Sequence, residues 1–249
     1  MKTYQAELHV HTVLSPCGDI EMIPPLIIEE SHSKGINLIA ITDHNASANI
    51  GAVQRAALGN DLAVLPGMEL QTREEVHVLC LFDTLEQASA LQVRVDAALP
   101  RVKNNVDFFG EQFVVDETGE FIRREERLLL TSTNLTINDA WQLVTTLGGL
   151  MIPAHVDRKA FGLLAILGFV PKEIPIEALE ISRFWKPEDA VAKYPQLAHY
   201  PLIQSGDVHF LHEFLGVNEF KIESPTIAEI RLALRQQDGR SHRLLPFSN

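Results

Sequence analysis

Short apolar runs recur along the chain, and stretches with helical periodicity separate them. Runs of this kind, bounded by polar or turn residues, are typical of buried strands. Their alternation with helical segments is the pattern of repeated βα units, which predicts an α/β fold. The predicted strands cover residues 5–10, 37–42, 62–65, 76–82, 150–153, 178–182, 201–204 and 217–222.

The segments between the runs carry helix start and stop signals. Pro24 and Pro25 suit a first helical turn, and Gly35 ends the segment that they open. Thr136 is placed to cap a later helix, with Asp139 favourable in its first turn. The predicted helices span residues 24–34, 136–147 and 225–237, and the apolar stretch 160–171 suits a buried helix or a lid.

Residues 103–133 interrupt the alternation. Strand patterns at 113–115 and 120–122 flank an Asp-Glu-Thr-Gly turn and predict a hairpin, while residues 123–127 are mixed in charge and predict a solvent-exposed face. An insertion of this length is often a lid or a binding loop. We therefore expect one domain over residues 1–249, an irregular α/β barrel with this insertion beside its mouth. An open doubly wound sheet is the alternative, but no glycine-rich phosphate loop supports it.

The composition is that of an ordinary globular protein. The chain has 249 residues, of which 46% are hydrophobic and 22% are charged, enough for one full hydrophobic core. Its two cysteines, Cys17 and Cys80, exclude a disulfide framework and fit a reducing compartment. No stretch approaches the roughly 18 uncharged apolar residues of a membrane span, and the first strand pattern leaves little room for a signal peptide. We expect a cytoplasmic protein that does not enter membranes.

The net charge of −12, from 21 basic and 33 acidic side chains, limits the class of partner. No basic stripe runs along the sequence, so non-specific binding to duplex DNA is not expected. A small phosphorylated substrate is still compatible with this charge, because a metal site reverses the local field. The sequence does not specify an oligomeric state.

Histidine and carboxylate side chains collect in or directly after the predicted strands. In a parallel barrel the carboxyl ends of all strands meet at one mouth, so these residues are expected to converge there. His9 and His11 share one face of a strand and lie about 6.6 Å apart along it, within reach of one ion. Asp207 and His209 repeat that spacing. The full set is His9, His11, Asp43, His44, Glu69, His77, His155, Asp207 and His209.

A structural role is the alternative for each of these residues taken alone. The ensemble favours metal binding, because unpaired imidazoles and carboxylates are costly to bury together. Such mixed ligands suit Zn, Mn or Fe more than Ca or Mg. Asp43 either orients a ligand or caps the following turn. We interpret Cys80 as a core residue and the remaining histidines as ordinary surface or helix residues: His32, His199, His212 and His242.

The sequence resembles the polymerase and histidinol phosphatase (PHP) superfamily of metal-dependent phosphoesterases over almost its whole length. The motifs that carry the resemblance are His9-Val10-His11-Thr12, Thr42-Asp43-His44-Asn45, Gly67-Met68-Glu69, His77, His155 and Asp207-Val208-His209. The resemblance implies a distorted (β/α)7 TIM-like barrel, so that one of the eight runs is peripheral. It also implies two or three divalent ions, of Zn, Mn, Fe or Mg, and hydrolysis of phosphate esters.

The resemblance also distributes the ligands over the ions. One ion would be held by His9, His11, Glu69 and Asp207. Glu69 would bridge to a second ion, which His77 and His155 also hold. His44 and His209 would hold a third ion or complete the cluster.

The chain departs from the family pattern after the first motif, where some members have a histidine ligand and others an aspartate. Cys17 stands at the position of the histidine, and Asp19 matches the spacing of the aspartate. A thiolate at Cys17 would favour Zn or Fe, because the ion deprotonates a coordinating thiol. Its structural alternative is a small buried residue in a turn. Both residues are predicted ligands, with Asp19 slightly preferred.

The charges of the site give the expected mechanism. Three divalent ions would outweigh the carboxylates of Asp19, Glu69 and Asp207, so an acidic protein would present a positive pocket to phosphate. A hydroxide that bridges two ions would then attack phosphorus in line.

Three further residues are candidates for catalysis. Arg158 is placed to hold a phosphate oxygen, and its alternative role is an ion pair with Asp157 or Glu177. His209 or Asp43 would assist proton transfer.

Three functions are compatible with these residues. The first is hydrolysis of the phosphate ester of a small molecule or nucleotide, with a short oligonucleotide included. The second is an amidohydrolase-like metal hydrolase, which also carries His-x-His on its first strand but often adds a bridging lysine, and no lysine here ends a predicted strand. The third is a non-catalytic metal-binding PHP module, against which the near-complete ligand set argues.

Overall fold

Strands and helices alternate along residues 1–246, the part of the chain that the computed structural model describes. The last three residues of the predicted domain lie outside this part. The strands are β1 (Lys2–Val10), β2 (Leu38–Ile41), β3 (Ala63–Gln71), β4 (His77–Leu81), β5 (Phe113–Val115), β6 (Phe121–Arg124), β7 (Leu150–Pro153), β8 (Leu179–Ile181), β9 (Leu202–Gln204), β10 (Asn218–Ile222) and β11 (Ser241–Leu244). The helices are α1 (Pro24–Ser33), α2 (Ile50–Ala56), α3 (Leu85–Ala98), α4 (Val106–Phe109), α5 (Ile137–Thr146), α6 (Leu163–Ile166), α7 (Pro187–Lys193) and α8 (Ile227–Leu234).

Seven strands form one curled sheet in the order β11-β10-β1-β2-β3-β4-β7. β1, β2 and β3 are parallel neighbours, whereas β4 runs antiparallel to both β3 and β7. β10 pairs antiparallel with the first half of β1, away from the end that carries the histidines. All eight predicted runs contain a strand, and β10 lies between β1 and the edge strand β11.

The small β8–β9 sheet lies between the two sides of the curl. The N–H of Val156, just after β7, donates to the carbonyl of Glu180 in β8 at 2.9 Å. The N–H of Val208, after β9, donates to the carbonyl of His9 in β1 at 2.9 Å, and the N–H of His11 donates back to Val208 at 3.0 Å. The fold is therefore a curled, TIM-like α/β arrangement. Its antiparallel strands β4 and β10 depart from the regular (β/α)7 pattern.

Local sequence explains where the helices begin. Thr136 caps α5 as predicted, because its side chain accepts a hydrogen bond from the N–H of Asp139 at 3.1 Å. α8 begins two residues later than predicted, since Thr226 is its cap. The sequence analysis does not predict α2, α3, α4, α7 or β11. In α3 the buried residues Ala88 and Leu91 stand among polar ones, so its apolar stripe is narrow.

The predicted hairpin is present in the insertion, where β5 and β6 pair antiparallel. The N–H of Phe113 donates to the carbonyl of Val13 at 2.9 Å. The side-chain amide of Asn45 donates to the carbonyls of Leu129 and Thr131 at 2.8 and 2.9 Å. The insertion therefore packs on the loops that follow β1 and β2, at the rim where the predicted ligands lie.

The longest apolar stretch of the sequence is not a long helix. Residues 160–171 contain only the short helix α6, with Leu163 and Leu164 buried and Phe169 exposed. Across residues 1–246, no helix combines the length and the apolar character that a membrane span requires.

Apolar clusters pack on both faces of the curled sheet. The inner cluster includes Leu79, which lies opposite Ile152 in β7 and opposite Glu69 in β3. Residues directly opposite each other in antiparallel strands project to the same face. The Glu69 carboxylate therefore stands at the edge of an apolar interior, where electrostatic interactions are strong. The outer cluster packs the sheet against α1, α3 and α5.

Candidate metal centre

The structure brings the predicted strand-end ligands together at one rim of the curled sheet. β4 takes part although it is antiparallel, because His77 is its first residue and so lies at the carboxyl end of neighbouring β3. The residues that meet are His9, His11, His44, Glu69, His77, His155, Asp207 and His209.

Glu69 lies at the centre of this cluster and is fully buried. Its Oε1 lies 2.7 Å from Nδ1 of His77, 3.0 Å from Nε2 of His155 and 3.3 Å from Nε2 of His9. Its Oε2 lies 2.8 Å from Nδ1 of His44 and 3.4 Å from Nε2 of His11. One carboxylate thus connects donor atoms from both sides of the cluster.

Asp207 closes the remaining side. Its Oδ1 lies 3.3 Å from Nε2 of His9 and 3.4 Å from Nε2 of His11. The ring of His209 stacks on that of His11, with centroids 4.1 Å apart. Asp207 and His155 have φ values of +50° and +28°, left-handed conformations that non-glycine residues rarely adopt. Strained backbone of this kind clusters at functional sites.

The donor atoms fall into overlapping groups, with the atoms of each group within 4.8 Å of one another. The groups are His9, His11, Glu69 and Asp207; His11, His44 and His209; and His44, Glu69 and His77. Each pair of groups has one residue in common, as expected where neighbouring ions share ligands.

Many nitrogen and oxygen atoms of the cluster that could bind a metal are buried and have no hydrogen-bond partner among the described residues. They are Nε2 of His9, Nε2 of His11, Nδ1 of His44, Oε2 of Glu69, Nε2 of His77, Nδ1 of His155 and Oδ1 of Asp207. A buried polar atom without a partner costs about 1–3 kcal/mol. Bound cations would satisfy these atoms together, so the residues fit a metal centre.

Hydrogen bonds outside the cluster fix the orientation of two histidines. Nδ1 of His9 lies 3.0 Å from Oε2 of Glu180, and Nδ1 of His11 lies 2.9 Å from Oγ of Ser15. Ser15 donates its own hydroxyl proton to Asp43 at 2.7 Å, so Nδ1 of His11 is the donor to Ser15. In their neutral forms both imidazoles therefore turn an unprotonated Nε2 toward the cluster.

The cluster shifts the pKa values of His11, His77 and Glu69 toward their metal-binding forms, and it raises the pKa values of His9 and His44, which favours their protonated forms. Burial lowers the pKa of His77 to about 4. Burial and the neighbouring positive imidazoles hold the pKa of His11 well below its ordinary value. Burial alone would raise the pKa of Glu69, but the surrounding imidazoles, His77 first, hold it well below the ordinary value. Neutral imidazoles and ionised carboxylates are the forms that bind metal ions.

Cys17 lines the cavity beside the cluster together with His209, whereas the Asp19 carboxylate is engaged in its own loop. Burial alone would raise the pKa of the Cys17 thiol, but its contacts with His44 and His209 lower it to about 6. The Asp19 carboxylate accepts a hydrogen bond from the N–H of Glu21 at 2.9 Å, and the Asp19 N–H donates to the carbonyl of His209 at 2.8 Å. Neither Cys17 nor Asp19 belongs to a group of ligand atoms within 4.8 Å of one another, so the choice between them stays a prediction.

Asp43 faces the loop that follows β1. Its buried carboxylate accepts hydrogen bonds from the N–H of Thr12 at 2.7 Å, from Oγ1 of Thr12 at 2.8 Å and from Oγ of Ser15 at 2.7 Å. Of the two roles predicted from its position, orientation of a ligand fits better, because Ser15 connects Asp43 to His11. Direct proton transfer by Asp43 has less support, since both carboxylate oxygens are occupied.

Arg158 forms an ion pair with Asp207, and not with either partner expected from sequence. Asp157 instead accepts a hydrogen bond from the N–H of Ser182 at 2.7 Å, and Glu177 binds two other arginines. The Arg158 side chain lines a cavity of about 300 Å³ beside the cluster. It is therefore the basic side chain closest to the candidate ligand Asp207.

The cysteine and histidine residues outside the cluster follow the predictions with one exception. His32, His199 and His212 are exposed, and Cys80 is fully buried. His242 was interpreted as a surface or helix residue, which is wrong. It lies in β11, where its ring packs against that of Phe220, and burial lowers its pKa to about 4.

Sequence analysis missed Glu180, which contacts two histidines of the cluster, His9 and His155. Its buried carboxylate lies against Nδ1 of His9 and accepts a hydrogen bond from the N–H of His155 at 2.9 Å. The hydrogen bond from His155 satisfies the backbone N–H of a residue with a strained, positive φ. The available signal was a charged residue inside the apolar run 178–182.

Glu180→Gln is expected to weaken metal affinity by about 10- to 100-fold, the usual cost of losing the group that orients a histidine ligand. The same oxygen, Oε2, faces both Nδ1 of His9 and the N–H of His155, and the neutral amide oxygen of glutamine is a weaker acceptor for both than a carboxylate. Competition with a chromophoric chelator measures the affinity. The exposed Glu173→Gln is the matched control, and an unchanged affinity in Glu180→Gln would remove Glu180 from the site.

Glu7 was also missed and anchors the segment that carries Asp207. Its fully buried carboxylate accepts hydrogen bonds from the N–H groups of Gly206, Leu215 and Gly216 at 3.0, 2.9 and 3.2 Å. The available signal was its position two residues before His9, on the same strand. Burial raises the pKa of Glu7 to about 7, although the backbone N–H groups partly offset this effect.

Glu7→Ala is expected to lower the free energy of unfolding by at least about 2 kcal/mol, because it leaves three buried N–H groups without an acceptor. The folded-state pKa of Glu7 lies above its ordinary value of 4.5. Its contribution to stability is therefore largest at low pH and falls as pH rises toward 7. Urea unfolding at pH 5 and pH 8 should give a smaller difference from wild type at pH 8, and a larger one would contradict this account.

Solved structures share this fold at low sequence identity. A lesion-specific endonuclease Q from Pyrococcus furiosus superposes with a TM-score of 0.71 at 21% identity, over 97% of this chain and 58% of that one. An endonuclease Q in complex with a 27-mer duplex substrate that has an abasic lesion at the active site gives 0.70 and 20%, over 96% and 58%. The chain thus spans less than two thirds of the length of these endonucleases.

A two-domain protein from Bacteroides vulgatus, containing a predicted PHP-like metal-dependent phosphoesterase, gives a TM-score of 0.54 at 14% identity, over 98% of this chain and 65% of that one. This chain has the PHP-like fold. An amidohydrolase from Chromobacterium violaceum gives 0.55 and 18%, over 85% and 90%. No protein-family model and no curated protein matches the sequence. The resemblance first seen in the motifs is therefore confirmed through structural neighbours, at the level of the PHP-like fold.

Proposed function

We propose that the protein is a metal-dependent phosphoesterase that hydrolyses the phosphate ester of a small molecule, a nucleotide or a short oligonucleotide. The observation that carries the proposal is the buried cluster around Glu69, at the rim of a PHP-like fold, in which seven potential ligand atoms have no hydrogen-bond partner among residues 1–246. Residues 1–249 would form one domain, with the insertion at 103–133 beside the site.

The overlapping donor groups support two or three divalent ions, of Zn, Mn, Fe or Mg. His9, His11, Glu69 and Asp207 form one group, as the resemblance implies. His155 lies 3.0 Å from Glu69, which supports its place beside His77 at a second ion. His44 belongs to the groups of both His77 and His209, so it would serve the second or the third ion.

Divalent ions in this cluster would lower the pKa of a water molecule and neutralise the charge that develops on phosphate. The chain's own residues would orient and enclose the reactants. Arg158, at the cavity wall, would hold a phosphate oxygen once Asp207 turns to its ion. Phe161 stacks on His77, with centroids 4.4 Å apart, and shields that imidazole from water. His209, at the same cavity, would move a proton if Cys17 replaces it as a ligand.

Cobalt substitution would decide between the two candidate ligands after the first motif. We expect the Co²⁺ form to show a sulfur-to-metal charge-transfer band, because Cys17 lines the same cavity as Asp207 and His209 and its thiol has a lowered pKa of about 6. Cys17→Ser should abolish the band, and Asp19→Asn, the matched control, should keep it. If the wild type shows no such band, Cys17 is not a ligand and Asp19 is the remaining candidate.

The comparison with endonuclease Q bears on the substrate. The neighbouring endonuclease structure holds a DNA duplex with an abasic lesion at its active site. An oligonucleotide is therefore one candidate substrate for this chain, beside smaller phosphorylated molecules.

The activity test uses protein loaded with Mn or Zn and a chromogenic phosphate ester. Phosphate-ester hydrolysis should be present in the wild type and absent in His9→Ala, whereas the exposed His32→Ala should keep it. Full activity in His9→Ala would refute the proposal. Amides and lactones are assayed in parallel, because an amidohydrolase shares the fold. Turnover of these alone would establish that alternative.

A further inference from the structure

A cavity beside the metal centre has two aromatic side chains at its opening. Its volume is about 300 Å³, and Asp207 and His209 of the cluster form part of its wall. Phe184 and Phe210 lie on the same wall, with 70% and 41% of their surface exposed. Large exposed apolar side chains beside a polar cavity are a common mark of a binding surface.

An ion pair fixes both aromatic residues in place. Arg183, the neighbour of Phe184, donates to the carbonyl of Gly206 at 3.0 Å and to Glu213 at 2.6 Å. The other oxygen of Glu213 accepts from the N–H of Phe210 at 3.1 Å. The loops that carry the two rings are therefore tied to each other, and the rings are held at the opening without being buried.

The surroundings of Phe184 favour a flat aromatic ligand over an aliphatic one. The Arg183 guanidinium lies over the Phe184 ring, 5.1 Å from its centroid, so the ring already takes part in a cation–π contact. Arginine and phenylalanine planes are the usual stacking partners of unpaired nucleobases. The cavity volume is at the low end for ligand sites, which suits one nucleotide rather than a larger molecule.

The negative net charge of the chain favours binding through the base over binding through the sugar–phosphate backbone. A net charge of −12 gives little general attraction to nucleic acid. Near the cavity, Arg158 and Arg183 are both engaged with carboxylates. Contacts with the base itself would therefore have to supply much of the affinity.

We propose that Phe184 and Phe210 bind an unpaired nucleobase of the substrate while its phosphate lies at the metal centre. This inference rests on the proposed function and narrows its substrate to nucleotides, either free or at an unpaired position of a nucleic acid. The two phenylalanines would determine specificity, and they would take no part in the reaction at phosphorus.

The test compares two strands that have the same charge and differ only in their bases. Fluorescence anisotropy measures binding of a labelled phosphorothioate hexathymidylate and of an abasic phosphorothioate hexamer to the metal-loaded protein. The thymidylate strand should bind about tenfold more tightly, in line with the usual contribution of one stacked base. Equal affinities for the two strands would overturn the proposal.

Variants show which residues cause the preference for the thymidylate strand. Phe184→Leu and Phe210→Leu should each remove a large part of this roughly tenfold preference for thymidylate, whereas Phe184→Trp should retain it. Phe169→Leu is the matched control, because Phe169 is also exposed but does not line the cavity. Thermal melting checks that each variant folds. An undiminished preference in both leucine variants would overturn the assignment.

Parallel assays separate this inference from the proposed function. Hydrolysis of ribose 5-phosphate and thymidine monophosphate with equal kcat/KM would refute the base site and leave the phosphoesterase intact. Base-dependent binding without hydrolysis of any ester would support the base site and refute the phosphoesterase. Competition by thymidine monophosphate would show that a free nucleotide is sufficient, and competition by oligothymidylate alone would point to nucleic acid; both results support a base site.

Discussion

Glu69→Gln is expected to lower phosphate-ester hydrolysis by about a thousandfold or more, equivalent to about 4 kcal/mol of transition-state stabilisation. Glu69 is the residue on which the cluster depends most, because its two oxygens contact histidines on both sides. Glutamine keeps the shape of the side chain but removes its charge. One of its atoms also becomes an NH₂ donor that faces imidazole nitrogens already short of partners.

Steady-state kinetics and metal analysis of the purified variant measure this effect together. We expect the bound metal to fall by at least one ion per chain, since Glu69 belongs to two of the donor groups. The exposed Glu173→Gln should match the wild type in both measurements. A Glu69→Gln variant with full metal content and activity within tenfold of wild type would contradict the central role of this carboxylate.

Removal of the metal with a chelator is expected to lower the melting temperature by about 10 °C and to abolish turnover. A ligand present at about a thousand times its Kd stabilises the folded state by about 4 kcal/mol. A chain of this size gains about 2–4 °C per kcal/mol. The effect should be large here, because chelation returns a set of buried donor atoms to an unpaired state.

The pH dependence of this stabilisation has a definite sign. Burial would lower the pKa values of His9 and His44, but nearby carboxylates, Glu180 for His9 and Glu69 for His44, raise both well above the ordinary value. Metal ions must displace these protons, so the melting shift should shrink as pH falls. A metal-dependent melting shift without turnover of any ester would instead favour the non-catalytic PHP module.

The meeting of these side chains at one rim could be predicted because each of them has a recognisable position in the sequence. Each stands in or directly after an apolar run, and a strand end fixes where a side chain lies in the fold. His77 shows the limit of this argument. The prediction assumed that every strand runs parallel, which is wrong for β4. His77 still lies at the predicted rim, because it is the first residue of this antiparallel strand.

The supporting residues could not be predicted from sequence in the same way. Glu7 and Glu180 appear in the sequence as single charges inside apolar runs, and nothing local shows which partner lies across the fold. Their contacts with Gly206 and His9 join residues about 200 and 170 positions apart. Cys17 and Asp19 were not separated either, because the direction of a side chain in a short loop depends on the surrounding structure.

The distribution of the three donor groups along the chain has a consequence for biosynthesis. The members of the group His44, Glu69 and His77 emerge from the ribosome close together, whereas the other two groups are complete only after residues 207 and 209 have been made. Chains are synthesised at about 5–20 residues per second, so the early group waits several seconds for the late ones. Complete loading of the cluster therefore cannot precede the synthesis of residue 209.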